Sequence, residues 1–431
     1  MKCELCYNTF SSKKHFSLSN YFPKDLVYFY GFPVVEGSQF YHDTSPFGEE
    51  LVSGRSIVCV GEGVKIITFD ASADEYVLDI ISKGVDIIDR NNIIRLPKEI
   101  SPDKTGKIRN ELIKEALQKL VKIDQLVMAQ PYTDRFLKKK FKIDPLLSVG
   151  INDKRNKAFY IPDVYIPEKY AFFESGKDFY QDNRDFPTPC VVKVSSSSSG
   201  SGVAICRNAK DMEKAKNRFA FIQSCIFVEE YIDVAYNICV QIGIPPNRNI
   251  SPEILGFSEQ LTSDKGEFFG GVVNPTKHIP YFEDIKKVLL EEIFPWIRSY
   301  GWYGVGGIDV LIGTNGKFYF IDPNFRMTAT FAYIYLSNMN ELTMPITSFS
   351  GSIECSKSFF ENNIVSLTKG KDSPLKIISL TNHENVFRFN AGIQFESNDD
   401  LRKKAEMLHF FGVKSPVLKD IVDYSFEYNR Y

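Results

Sequence analysis

The 431-residue chain has almost no charge imbalance, with a formal net charge of −2. A balance so near zero gives no electrostatic reason to expect nucleic acid or an anionic membrane as a partner. No apolar run approaches the roughly 20 residues that span a bilayer. The N-terminus, MKCELCYNTFSSKKHF, lacks the apolar core and small-residue cleavage site of a secretory signal. These absences predict a cytoplasmic protein with no nucleic-acid and no membrane partner. Histidine is scarce: the five in the chain, His15, His42, His278, His383 and His409, fall at no metal-ligand spacing. Cysteine is present eight times, mostly in apolar strand-like runs where a reduced thiol acts as a small hydrophobe. Cys3 and Cys6 form a C-x-x-C pair, without the second pair or two histidines that a structural zinc site needs.

The chain is too long for one hydrophobic core, so about two or three domains are expected. Residues 1–146 alternate short apolar runs with helical segments, which predicts an α/β layer. LVYFYGF (26–32), RSIVCVGEG (55–63), VKIITFD (64–70) and GVDIID (84–89) read as strands. ADEYVLDIIS (73–82) and GKIRNELIKEALQKLVKID (106–124) have the apolar spacing of helices. The lone G-E-G after residue 60 is a turn rather than a dinucleotide fingerprint.

From about residue 150 the texture changes. N-D-K (152–154) precedes a helix that Asn152 or Asp153 caps. CVVKVSSSSSGSG (190–202) is a strand ending in a tip of small residues, after which Val203, Ala204 and Ile205 resume the apolar pattern. Such a tip is either a polar linker or a hairpin whose backbone N–H groups approach a phosphate closely, with Lys193 as a point charge beside them. IFVEEYID (226–233) reads as a strand with Glu229 and Glu230 on opposite faces. AYNICVQIGI (235–244) is the next strand. A long excursion carrying Gly270, Gly271, Lys277 and His278 follows, before a helix over 283–301 that Pro295 kinks or restarts.

GVGGIDVLIGTNGKFYFIDPNFR (304–326) reads as a hairpin turning at T-N-G-K. That turn sets Asp309 near Asp322, with Asn324 and Arg326 on the same face as Asp322. Three oxygen ligands converging from paired strands suit Mg²⁺, which takes carboxylates together with substrate phosphates. Either acidic arm alone is better explained as an Asx turn at Pro323 and a strand charge, but the D…D-P-N-x-R arrangement favours the metal. The tail holds strands in PLKIISLTNHENVFRFN (374–390) and an amphipathic helix at 399–412 that reads as packed core.

The ordered set N-D-K, V-V-K before a small-residue loop, V-E-E-Y-I, G-x-D and D-P-N-x-R resembles the ATP-grasp superfamily, of the carboxylate–amine ligase type, over about 147–345. The resemblance implies an α/β fold, α+β within the grasp. Residues 1–146 are then a Rossmann-like pre-ATP-grasp domain and 147–345 the nucleotide-binding region, with a mobile lid over about 165–228. Residues 346–431 form a small C-terminal α/β portion. It implies ATP and Mg²⁺ (or Mn²⁺) as cofactors, and an amide or peptide bond made through an acyl phosphate with release of ADP and phosphate. The implied substrates are a small carboxylic acid and an amine, either an amino acid or a peptide, and a homodimer is compatible with it. Lys154 and Lys193 match the phosphate-binding lysines, Ser199, Gly200, Ser201 and Gly202 the phosphate loop, and Glu229, Glu230, Tyr231 and Ile232 the adenine hinge. Glu229 is also the candidate for the ribose hydroxyls, and Asn237 is counted with the nucleotide contacts. Asp309, Asp322 and Asn324 match the metal ligands. Arg326, Lys193 and Lys277 match catalytic positions. The chain departs from the pattern in having aspartate where many members have glutamate at 309 and 322, and serine in place of most loop glycines. A carboxylase or other ATP-dependent ligase, and a nucleotide-binding module without turnover, are the alternatives.

Overall fold

The computed structural model describes residues 17–423 apart from 32–45, 62, 86–88, 101–105, 134, 196, 198, 199, 264, 340, 341, 343 and 371. Cys3, Cys6 and Ser199 therefore lie outside the described residues. Four short parallel strands open the chain: β1 (Leu26–Phe29), β2 (Val64–Thr68), β3 (Ile93–Arg95) and β4 (Leu126–Met128), in the order β3-β2-β1-β4. β1 is buried at every position, as a parallel strand covered on both faces should be. The expected helices are Glu75–Gly84, with Asp74 capping the N–H of Val77, and Gly106–Leu120.

One expected strand is corrected, and a second falls largely outside the described residues. The run at 55–63 contains a buried 3₁₀ helix, Gly54–Cys59, which continues a helix over Pro46–Ser53. Its apolar content reflects burial on all sides, which periodicity cannot tell from a buried strand. The Ser53 and Ser56 hydroxyls donate to the carbonyls of Glu50 and Ser53, satisfying acceptors in that buried turn. For GVDIID, residues 86–88 lie outside the described residues, and the strand that extends the sheet is Ile93–Arg95.

A second sheet is antiparallel: β5 (Lys169–Phe173), β6 (Cys190–Val194), β7 (Val203–Cys206) and β8 (Ile226–Glu230), in the order β5-β8-β6-β7. One face packs Val192, Val194, Ile226 and Val228 against Phe179 and Phe219 of two short helices. The other face carries Lys193 and Glu229 by strand alternation.

The third sheet has eight strands: β9 (Val234–Ile244), β10 (Glu253–Thr262), β11 (Phe268–Val273), β12 (Gly304–Gly313), β13 (Phe318–Asn324), β14 (Ile346–Glu354), β15 (Leu375–His383) and β16 (Val386–Gln394). Their order is β13-β12-β9-β10-β11-β14-β16-β15. β10, β11 and β14 are strands that the sequence reading passed over. The excursion after residue 244 is in fact two paired strands, and the residues beyond 346 extend the same sheet.

Ile238, Val240, Ile308, Val310 and Phe320 form a core with Ile285, Leu289, Phe294 and Ile297 of the helical segment 282–299. A π-helical turn, Leu289–Ile293, precedes Pro295, which has no N–H to give to the preceding turn. The intervening residues of β9 and β12, including Asn237, Cys239, Asp309 and Leu311, face away from that core into a cavity.

Candidate active site

The cavity, about 950 Å³, lies between the antiparallel sheet, the open face of β9, β10 and β12–β13, and the N-terminal layer. Lys154, Lys193, Gly200, Glu230, Tyr231, Ile232, Asn237, Asp309, Asp322, Asn324 and Arg326 all line it. The structure thus brings together most of the residues singled out from sequence. Ser201, Gly202, Glu229 and Lys277 are not part of the lining.

Asp309 and Asp322 are directly opposite one another in the β12–β13 ladder, at a bulge between Asp309 and Val310. Burial and the neighbouring Asp322 charge push the Asp309 carboxyl up to about 7. Gln260 Nε2 donates to Asp309 Oδ1 at 2.6 Å, and Asn324 Nδ2 donates to Oδ2 at 3.5 Å. Arg326 Nη2 in turn donates to Asn324 Oδ1 at 2.8 Å, so Asn324 links the arginine to the carboxylate pair. Lys154 Nζ lies 3.1 Å from Asp322 Oδ2 and donates to the Ser197 carbonyl at 3.2 Å.

Local chemistry explains where Lys154 sits. The 3₁₀ helix Lys154–Phe159 is capped by Asp153, which accepts from the Arg155 N–H. Asn152, the other candidate cap, instead accepts from the Phe325 N–H at 2.7 Å and fastens this turn to the end of β13.

Glu229, expected to face the ribose, does not line the cavity. Its carboxylate is 1% exposed, with Oε1 accepting from Lys157 Nζ at 2.8 Å and Oε2 lying 3.0 Å from Lys193 Nζ. Burial opposes its ionisation, but the two ammonium groups outweigh burial and hold it down to about 2. Burial also lowers Lys157 to about 8, partly offset by Glu229. Glu229 is thus the counter-ion that holds Lys193 in place, and the carboxylate facing the cavity on that strand is Glu230. Lys277 is likewise removed from the lining: its Nζ pairs with Glu259 Oε2 at 2.6 Å, and Glu259 is the residue on the cavity wall.

The serine-glycine tip is tied down at several points. A Cβ at Gly200, where φ is +73°, would lie 2.1 Å from the Gly266 carbonyl oxygen. Only glycine allows the tip to sit so close to the β10–β11 turn. Arg218 donates to the carbonyls of Ser201 and Val203, bracing the hairpin from behind. Sequence reading passed over Lys157, Gln260, Glu259 and Arg218. Lys157 follows Lys154 by one 3₁₀ turn, which is the one local signal any of them carried.

Residues 170–324 match a protein family described as L-aspartate–L-methionine ligase, ATP grasp. Among solved structures, a biotin carboxylase–β,γ-ATP complex from Campylobacter jejuni superposes with a TM-score of 0.52 at 13% identity, covering 87% of this chain and 94% of that one. N5-carboxyaminoimidazole synthetase from Staphylococcus aureus gives 0.51 at 13%, covering 91% and 98%. The ADP complex of an N5-carboxyaminoimidazole ribonucleotide synthetase gives 0.51 at 12%, covering 91% and 99%. These structural likenesses are of fold.

Over residues 170–324 the chain is similar to the ATP-grasp ligases.

ATP and Mg²⁺ are the cofactors of this class, and the residues present fit both. Among the described residues no cluster of three His, Cys, Asp or Glu side chains forms. What the cleft offers a cation is two carboxylates and an amide, a hard oxygen set that leaves room for phosphate oxygens and water, as Mg²⁺ requires. Burial first, and the Asp322 charge after it, raise the Asp309 carboxyl, and a bound cation would offset both. For the nucleotide, Asn237 Oδ1 and Glu259 Oε1 are buried at the cavity wall without a hydrogen-bond partner among the described residues. Groups of that kind are satisfied by a bound ligand or by water.

Proposed function

We propose that the chain joins the carboxylate of one amino acid to the amine of a second, forming an amide or peptide bond through an acyl phosphate, with L-aspartate and L-methionine as the first pair to test. The observation that carries this reading is the convergence of Asp309, Asp322, Lys154, Lys193 and Arg326 on one cavity. Bound MgATP supplies the phosphoryl group that turns the acid into an acyl phosphate. The chain's own task is positioning and charge stabilisation, as in phosphoryl transfer generally. Asp309, Asp322 and Asn324 hold the metal. Lys154 and Lys193 set positive charge against the phosphate oxygens, and Arg326, fixed through Asn324, steadies the anion made beside the metal. Glu230, Tyr231 and Ile232, at the end of β8, supply the edge for the base, and Asn237 and Glu259 the polar contacts that Glu229 does not make. The β6–β7 hairpin, with Val203 and Ile205 on the cavity wall, excludes water that would hydrolyse the acyl phosphate.

We read the domains as 1–146, 147–345 and 346–431, with the lid formed by the sheet of β5–β8. Among the described residues no helix is long and apolar enough to cross a membrane, and the described cysteines are free thiols, which supports a reducing compartment such as the cytoplasm. The test is ADP formation on addition of L-aspartate and L-methionine, with product mass measured, in the wild-type chain and in Lys193→Ala. The expected result is acid-dependent ADP release in the first, reduced about 100-fold or more in the second. Full acid-dependent release by Lys193→Ala removes the lysine from the phosphate site.

A further inference from the structure

Arg55 has no role in the nucleotide or metal site, yet it opens onto the same cavity. It stands on the buried 3₁₀ helix Gly54–Cys59, part of the N-terminal layer, and shares the cavity wall with Tyr30 of that layer and with Val272 and Phe269 of β11. The lysines of the lining are each matched to a carboxylate: Lys154 lies 3.1 Å from Asp322 and Lys193 lies 3.0 Å from Glu229. Arg55 is different. Among the described residues no carboxylate lies within ion-pair distance of it, and its guanidinium donates through Nη2 to Asn390 Oδ1 at 3.1 Å. Asn390 is itself 3% exposed and its Oδ1 also meets the Ser350 hydroxyl at 2.7 Å, so the arginine is anchored from behind by a fixed amide. A guanidinium has five N–H donors in a planar fork, and a half-buried one without a counter-ion carries a desolvation cost. A carboxylate that meets the fork bidentately removes that cost.

We infer that Arg55 binds the non-reacting carboxylate of an amino-acid substrate, making it a specificity residue for the ligase reaction. The inference rests on the ligase reading above. Two carboxylates have this chemistry: the α-carboxylate of the amine component, and the spare carboxylate of a dicarboxylic acid component. Arg55 approaches from the N-terminal layer, whereas Asp309, Asp322 and Arg326 belong to β12, β13 and the residues just after them. The arginine, held on β16, which four strands separate from β12 in the sheet order, therefore reads the substrate away from the metal carboxylates, on a lining that also holds the apolar Phe269 and Val272, which suit an aliphatic or thioether side chain.

The experiment measures ADP formation and product mass with a pool of the common L-amino acids, then kcat/KM for the pair that reacts. In one arm the amine component is replaced by its carboxamide. In the other the spare carboxylate of the acid component is replaced by a carboxamide. For the wild-type chain one arm is expected to lower kcat/KM about 10- to 100-fold, the range for a hydrogen bond to a charged group. In Arg55→Gln the natural pair should fall by the same factor and the discrimination in that arm should vanish, with KM for ATP unchanged. Arg55→Lys should recover part of both. The arm that responds names the carboxylate. If Arg55→Gln discriminates as the wild type does, if neither arm affects the wild type, or if the variant raises KM for ATP instead, the inference is overturned and the ligase reading stands. A wild-type chain that forms no product from the pool overturns both.

Discussion

Glu229 and Asp309 are carboxylates on neighbouring sheets of one cleft, and their surroundings push them in opposite directions. Glu229 is enclosed by Lys157 and Lys193 and held down to about 2, and its site carries one positive charge in excess. Asp309 is buried, faces Asp322 across a ladder and is pushed up to about 7 by burial and then by that second carboxylate. The first arrangement fixes Lys193 at the root of the β6–β7 hairpin and leaves a positive charge on the cavity wall. The second sets two facing carboxylates beside a single lysine ion pair, an arrangement that a further cation would relieve. Burial is common to both, and the sign of the neighbouring charge decides which carboxylate is structural and which is a ligand.

The comparison breaks most sharply at the facing carboxylates. Asp322→Ala removes one of the two carboxylates and the partner of Lys154, and should lower Mg²⁺-dependent ADP formation by about 1,000-fold while leaving the fold intact. Turnover kinetics over a Mg²⁺ titration would show it, and a variant within tenfold of wild type would move the metal elsewhere. At Glu229, the substitution Glu229→Gln leaves two ammonium groups buried side by side. It should cost about 3–5 kcal/mol in urea unfolding. Lys157→Met should cost less than Glu229→Gln, because a neutral Glu229–Lys193 pair survives it.

The same glutamate carries a pH signature. Its folded value of about 2 lies below the usual 4.5, so the folded state binds fewer protons in that window. Its stabilisation is fully present above pH 4.5 and is lost as pH falls through 2. The dependence of unfolding free energy on pH in that window should therefore flatten in Glu229→Gln, and an unchanged slope would mean that other carboxylates carry the acid response. The smallest effect is expected at Gln260, which orients Asp309 without touching the metal. Gln260→Ala should raise the Mg²⁺ concentration for half-maximal activity about tenfold, in line with other groups that orient metal ligands.

Parts of this site were legible because their signals are local. T-N-G-K sets the β12–β13 turn, and a period of two then carries Asp309, Asp322 and Asn324 to one face, whatever the rest of the chain does. V-V-K before a serine-glycine tip works the same way, since Lys193 must alternate with Val192 and Val194. The misreadings are also local in origin. RSIVC looks like a buried strand because burial alone selects those side chains. β10 escaped notice because Gly256, Ser258, Glu259 and Gln260 dilute its apolar pattern, and three of the four, Ser258, Glu259 and Gln260, line the cavity.

What the sequence determined by itself was the set of strand faces and turns, since side-chain alternation and turn chemistry act over a few residues. The α/β class, the acidic hairpin and the lysine-led lid all follow from that. Which charges meet was decided by the tertiary structure. Glu229 could have faced a ribose or a lysine, and only the packing of the Lys154–Phe159 turn against β8 placed Lys157 beside it. Arg55 reaches the cavity only because the N-terminal layer closes against the eight-stranded sheet. Coulomb interactions depend on distance in space, and in a chain of this length that distance is set by the fold.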